Sequence, residues 1–256
     1  MAGALLTVWS RYEINRITDG ILRVIMKVSL VQAISAWLLP VLLAVTVHET
    51  AHGWVARRFG DKTAEMLGRL TLNPLKHIDP VGTILIPGLM LLLPGGFVFG
   101  WAKPVPVDWR NFKNPKKDMA WVALAGPVSN LLMGLAWAIV ARIALGMSAE
   151  NWVALPLLFM CVAGMFINTI LMVLNLLPLP PLDGGRVLTG VLPAPYAYRF
   201  ARIEPYGFFI LVALLMTGVL GIVLWPLVSL FLEFLASVAG MKPGYFQIVL
   251  FALMRS

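Results

Sequence analysis

The chain has 256 residues, of which 60% are hydrophobic and only 12% charged, with a mean hydropathy of +0.86. Soluble domains carry about 25% charged residues, so this composition excludes an ordinary soluble protein and points to an integral membrane protein. The net charge of +8 is concentrated in a few loops without base-stacking stretches, which argues against nucleic acid and for lipid headgroups and membrane topology.

Residues 1–28 place Arg11, Arg16, Arg23 and Lys27 among apolar residues at helical spacing, the pattern of an interfacial amphipathic helix. No secretory leader is read there. The first membrane span is expected from Leu30 to Ala56, with a kink at Pro40. Within it lies His48-Glu49-Thr50-Ala51-His52, preceded by a dozen uncharged residues. Residues four apart share a helix face, so both imidazoles can address one Zn²⁺ with Glu49 beside it. Ionisable residues in a lipid-exposed helix are costly and mark an interior functional site.

Residues 57–117 hold ten of the twenty Lys and Arg, so this loop is expected in the cytoplasm. Its apolar stretch Val81 to Trp101 is broken by Pro87, Pro94, Gly95 and Gly96, which fits a re-entrant segment or hairpin. Phe97 to Val107 reads as extended chain, restricted to a sheet edge by Pro104 and Pro106. A second span is expected over Met119 to Leu145, opening on Gly126-Pro127-Val128-Ser129-Asn130, and a third over Leu155 to Leu177. The connection from Gly146 to Ala154 lacks Lys and Arg, as an outside loop does. A fourth span is expected from Tyr206 to Leu235, and the apolar tail Tyr245 to Met254 is too short to cross.

The chain is thus expected to be an α-helical polytopic membrane protein with four to six membrane segments, a three-helix catalytic core and a short re-entrant or β-hairpin insertion. An interfacial helix over 1–28, a core over 29–190 and C-terminal segments over 191–256 make up its organisation. The positive-inside rule brings the C-terminal half of span one, the N-terminal half of span two and the end of span three to a similar depth near the cytoplasmic side. Zinc needs a third protein ligand and an open position. Asp183 is the best candidate, in Asn175-Leu176-Leu177-Pro178-Leu179-Pro180-Pro181-Leu182-Asp183-Gly184, although a plain turn residue after two prolines reads equally well from the residues alone.

Together these segments resemble the site-2 protease family of intramembrane zinc metalloproteases, in its compact bacterial and archaeal form without a PDZ domain. Gly68 to Pro80 and Gly100 to Val107 also match segments typical of such members, and the resemblance covers about residues 35–190. It implies one zinc per chain held by His48, His52 and Asp183, Glu49 as catalytic acid/base, and Asn130 near the substrate carbonyl. It further implies single-span membrane proteins as substrates and a location in a prokaryotic inner membrane. The extended segment would offer an edge to an unwound substrate. His77 reads as a structural loop residue, Lys103 and Arg186 as topology charges, with Arg186 also able to bond Asp183, and Trp101 and Trp109 as interface anchors. A catalytically idle relative or an ion transporter is the competing class, but no inverted repeat is visible and Glu49 is intact.

Overall fold

A computed structural model describes residues 28–85, 89, 100, 102–148 and 150–255. The expected amphipathic helix over 1–28 lies outside the described residues apart from its last position, as does most of the expected re-entrant stretch.

Helix α1 (Leu30–Arg58) starts on a capping box. The Ser29 hydroxyl accepts from the Gln32 amide, and the Gln32 side chain accepts from the Ser29 amide. The helix passes Pro40 without ending and finishes on Arg57 and Arg58, two residues beyond the expected limit. A short helix α2 (Thr63–Met66) follows, then a 3-10 turn at Pro74–Lys76 and a wide turn at Pro80–Leu85 whose amides at Val81 and Gly82 are capped by Asp79.

Residues 102–108 are extended, but no strand pairs with them among the described residues. Pro104 and Pro106 remove two N–H donors, so a regular ladder cannot form. The remaining donors go elsewhere: the Lys103 amide to the His77 carbonyl at 2.9 Å and the Val105 amide to Glu49 Oε2 at 2.8 Å. Asp61 fastens the far end of this segment. It is 1% exposed and accepts from the amides of Thr63 and Asp108 and from the Asn111 side chain at 2.8–3.0 Å.

Helix α3 (Pro115–Leu145) begins four residues before the expected start, because Pro115 suits the first helical position and Asp118 accepts from the Asn114 amide. Helix α4 (Ala154–Asn175) falls where the third span was expected. Two short helices follow, α5 (Asp183–Val191) and α6 (Ala194–Ala201). The single fourth span expected from Tyr206 to Leu235 is instead two helices, α7 (Glu204–Met216) and α8 (Val219–Val238). Gly218, with φ +75°, breaks the run in a left-handed conformation that suits glycine. At 1.5 Å per residue α7 reaches only about 20 Å, while α8 reaches about 30 Å and is long enough to cross. Helix α9 (Tyr245–Arg255) packs Phe246, Val249 and Leu253 into the core.

Among the described residues, four helices are long and apolar enough to span a bilayer: α1, α3, α4 and α8. Helix α4 is the hub. Inside the protein lies 61% of its apolar window, against 22–28% for the other three, whose outer faces present Leu38, Ile139, Ile143 and Ile222. Ala36, Ala138, Ala141 and Ala163 let the helices approach closely, as small residues do in membranes.

Candidate active site

Three elements meet around the histidine pair. His48 and His52 lie one turn apart on one face of α1, about 15 Å and about 9 Å along the axis from its Arg58 end at 1.5 Å per residue. Helix α3 passes directly beneath them. A Cβ on Gly126 would sit 2.5 Å from His48 Cε1 and 2.5 Å from His52 Nε2, so only glycine fits that position. Asp183 is the first residue of α5, brought in by a chain reversal after α4. Gly184 and Gly185 make the reversal possible. A Cβ on the former would meet the Leu176 carbonyl at 2.3 Å, and one on the latter the Pro180 nitrogen at 2.4 Å. The loop and the new helix therefore lie backbone against backbone, which aims Asp183 back at α1.

The convergence is tight. His48 Nε2 lies 3.2 Å and His52 Nε2 3.3 Å from Asp183 Oδ2, and the two nitrogens are 3.1 Å apart. All three residues are buried or nearly so. The protonation of the rings follows from their far sides. His52 Nδ1 faces the Val122 carbonyl at 2.7 Å; a carbonyl only accepts, so Nδ1 carries the hydrogen. His48 Nδ1 faces Asn130 Oδ1 at 2.6 Å. That oxygen is identified by the amide nitrogen of Asn130, which donates to the Ala44 carbonyl at 3.3 Å and to Asn168 Oδ1 at 2.9 Å. Both Nε2 atoms of the neutral rings are then bare lone pairs. Asp183 Oδ2, which they face, is a buried acceptor with no hydrogen-bond donor.

Three lone pairs pressed together in a buried site repel one another unless a cation lies among them. Tetrahedral zinc with ligands at about 2.0–2.1 Å sets them roughly 3.3 Å apart, the spacing seen here. His48, His52 and Asp183 are thus positioned to bind a metal ion.

Glu49 is half-buried and accepts the Val105 amide through Oε2 at 2.8 Å. It stands beside the cluster and contributes no atom to it. Asn130 is completely buried, and its amide is taken up by His48, Ala44 and Asn168. His77 is 2% exposed and donates from Nε2 to the Thr71 carbonyl, which also accepts from the Thr50 hydroxyl, so it braces the loop beside α1. Arg186 lies 3.9 Å from Glu204 and its ion pair is with that residue, not with Asp183. Lys103 and Trp109 are exposed, and Trp101 lies outside the described residues. A cleft of about 650 Å³ runs beside Val105 and Trp109, with Lys116 and Arg186 on its walls.

Sequence reasoning missed Asn168. An amide in the middle of the apolar span Ala154–Asn175 is itself a signal, since polar groups in membrane helices are rarely idle. Its partner could not be read without the fold. Gly126 was noted within a motif, but its role as the space beneath the two rings emerges only from helix packing.

Comparison with known proteins agrees with this chemistry. The chain matches peptidase family M50 over residues 36–149 and 143–218. It is 41% identical over 190 residues to YwhC of Bacillus subtilis, covering 73% of this chain and 83% of the relative. It is 32% identical over 203 residues to Rip2 of Mycolicibacterium smegmatis, covering 78% of this chain and 73% of the relative. A more distant relative is MJ0392 of Methanocaldococcus jannaschii, 28% identical over 195 residues, or 75% of this chain and 45% of the relative. All three are named as zinc metalloproteases. Comparison with solved structures finds no match. The helices, the buried His-His-Asp group and these matches lead to one conclusion: the chain belongs to peptidase family M50, the site-2 proteases, and is a membrane-embedded zinc metallopeptidase.

Proposed function

We propose that this protein hydrolyses peptide bonds in or near the transmembrane segments of single-span membrane proteins, as in regulated intramembrane proteolysis. One Zn²⁺ is held by His48, His52 and Asp183, with Glu49 as the acid/base. The observation that supports this most is the triangle of bare acceptors, 3.1–3.3 Å on a side, closed by the donorless Asp183 Oδ2.

When bound, zinc lowers the pKa of water towards ~7 and polarises a carbonyl. The residues of the chain do the rest. Glu49, one position from His48, accepts a proton from the attacking water and returns it to the leaving amine. The Val105 amide holds its carboxylate on the side of the extended segment. A substrate helix must unwind to expose its peptide bond, and helix-breaking residues in the substrate favour this. The cleft beside Val105 offers room for the unwound chain. Ten Lys and Arg between residues 57 and 117 favour a cytoplasmic orientation for this end of α1, in a prokaryotic inner membrane.

Glu49→Gln tests the assignment. It preserves shape and metal ligands but cannot take up a proton. Cleavage should fall by roughly 10²- to 10⁴-fold or more, zinc should stay bound, and uncut single-span partners should accumulate on the protein. Cleavage at the wild-type rate would remove Glu49 from this role.

A further inference from the structure

Asn130 and Asn168 are both 0% exposed, and they come from different helices, α3 and α4. They form an unbroken run of hydrogen bonds. Asn168 Nδ2 donates to the Gly164 carbonyl at 2.8 Å, one turn back in its own helix, which fixes its oxygen towards α3. That oxygen accepts from Asn130 Nδ2 at 2.9 Å, and Asn130 Oδ1 then accepts from His48 Nδ1 at 2.6 Å. Each amide can be turned only one way without placing two donors or two acceptors in contact in a buried setting. The direction of the chain is therefore set at Gly164, reinforced at Asn130 by the longer bond to the Ala44 carbonyl, and delivered to the His48 ring.

We propose that Asn168, acting through Asn130, is a positioning relay that holds His48 in the Nδ1-protonated tautomer and so presents Nε2 to the metal. The inference rests on the zinc assignment above. It gives Asn130 a role at the metal's ligand, with no group left over for a substrate carbonyl: its oxygen faces His48, and both amide hydrogens are spoken for by Ala44 and Asn168. The two histidines are held differently. His52 leans on the Val122 carbonyl, which no side-chain substitution can remove, whereas His48 depends on two side chains. Partners of this kind orient metal-binding imidazoles and raise their basicity, and losing them costs 10–100-fold in affinity or activity.

The test uses the full chain in lipid nanodiscs with two readouts. The first is zinc affinity by chelator competition. The second is the ¹⁵N spectrum of histidine-labelled, metal-free protein, which is assignable because the chain has only three histidines. Asn168→Leu leaves His48 and its immediate partner in place, yet should weaken zinc binding about 10-fold or more and shift His48 from one tautomer to a mixture. Asn130→Leu should do the same more strongly. Asn130→Asp keeps an acceptor on Nδ1 and should restore the tautomer, but its second oxygen faces the Ala44 carbonyl and Asn168 Oδ1, so zinc affinity should recover only in part. The relay is overturned if Asn130→Leu leaves zinc affinity and the His48 tautomer unchanged and lowers cleavage alone, as a substrate-contacting residue would. It is equally overturned if the leucine variants lose only thermal stability, as helix-to-helix adhesion would. If the wild-type protein binds no zinc, the zinc assignment fails, while the metal-free tautomer spectrum still decides the relay.

Discussion

The imidazole–carboxylate cradle and the extended segment over 102–108 border the same stretch of α1, yet they are built on opposite principles. The cradle is made of side chains from the long helix α1 and the start of the short helix α5, and its polar partners Asn130 and Asn168, on α3 and α4, are fully buried. The extended segment is held by backbone amides and by the buried carboxylate of Asp61 at its far end, and it carries exposed residues such as Lys103 and Pro104. A site that must bind a metal gains from rigidity and a low dielectric constant. A segment that borders an incoming peptide, the part the proposed function gives to 102–108, gains from bonds that can be exchanged for those of a substrate.

That contrast predicts where substitutions act. The largest effect belongs to the cradle. Gly126→Ala places a methyl group 2.5 Å from both imidazoles, where α1 and α3 cannot separate without unpacking. Zinc content and cleavage should both collapse, by more than the 10–100-fold of an indirect partner; metal analysis with an activity assay checks it. Normal zinc content in Gly126→Ala would show the cradle to be as yielding as the segment.

The segment should give smaller effects that leave the metal alone. Replacing Val105 by its ester analogue removes the N–H that Glu49 accepts. Hydrogen bonds to charged groups are worth about 1.5–3 kcal/mol, so cleavage should fall by roughly 10- to 100-fold at unchanged zinc content. A parallel loss of zinc would join the two regions into one unit.

Asp61 gives the next smaller effect, on stability. Although burial opposes ionisation, hydrogen bonds from Thr63, Asn111 and the Asp108 amide hold its carboxyl below the ordinary carboxylate range. A folded pKa lowered in this way stabilises the fold above the unfolded value, near ~4, and this contribution is lost as pH falls through the folded pKa. Asp61→Ala should lower the thermal midpoint at pH 7 by the equivalent of about 1–3 kcal/mol. The gap to wild type should narrow as acid protonates Asp61. A gap that widens in acid would contradict the sign. Least of all, Arg57→Ala breaks an ion pair with Glu65 whose side chains are 49% and 40% exposed, and its effect on melting should stay within about 0–1 kcal/mol.

The cradle was also the more legible region. His48, Glu49 and His52 stand out because charge is absent from the residues before them, and spans α1, α3 and α4 follow from apolar length, with basic loops on one side only. Asp183 needed family resemblance, since a carboxylate after two prolines is also an ordinary turn. The break at Gly218 was hidden because both flanks are equally apolar, and a glycine costs a helix only about 1 kcal/mol, too little to decide between a kink and a stop. The Arg186–Glu204 pair and the Val105–Glu49 contact depend on chain reversals that bring distant residues together, which no local pattern encodes. Asn168 could be seen as unusual, but which way it faced depended on how α4 docks against α3.

The central claim is that His48, His52 and Asp183 together hold one zinc. Elemental analysis of the purified wild-type protein and of Asp183→Ala, taken through the same chelator wash, tests it most directly. The wild type should retain one zinc per chain, and Asp183→Ala should lose both the metal and cleavage while keeping its helical content. Full zinc occupancy and activity in Asp183→Ala would contradict the claim and require a different third ligand.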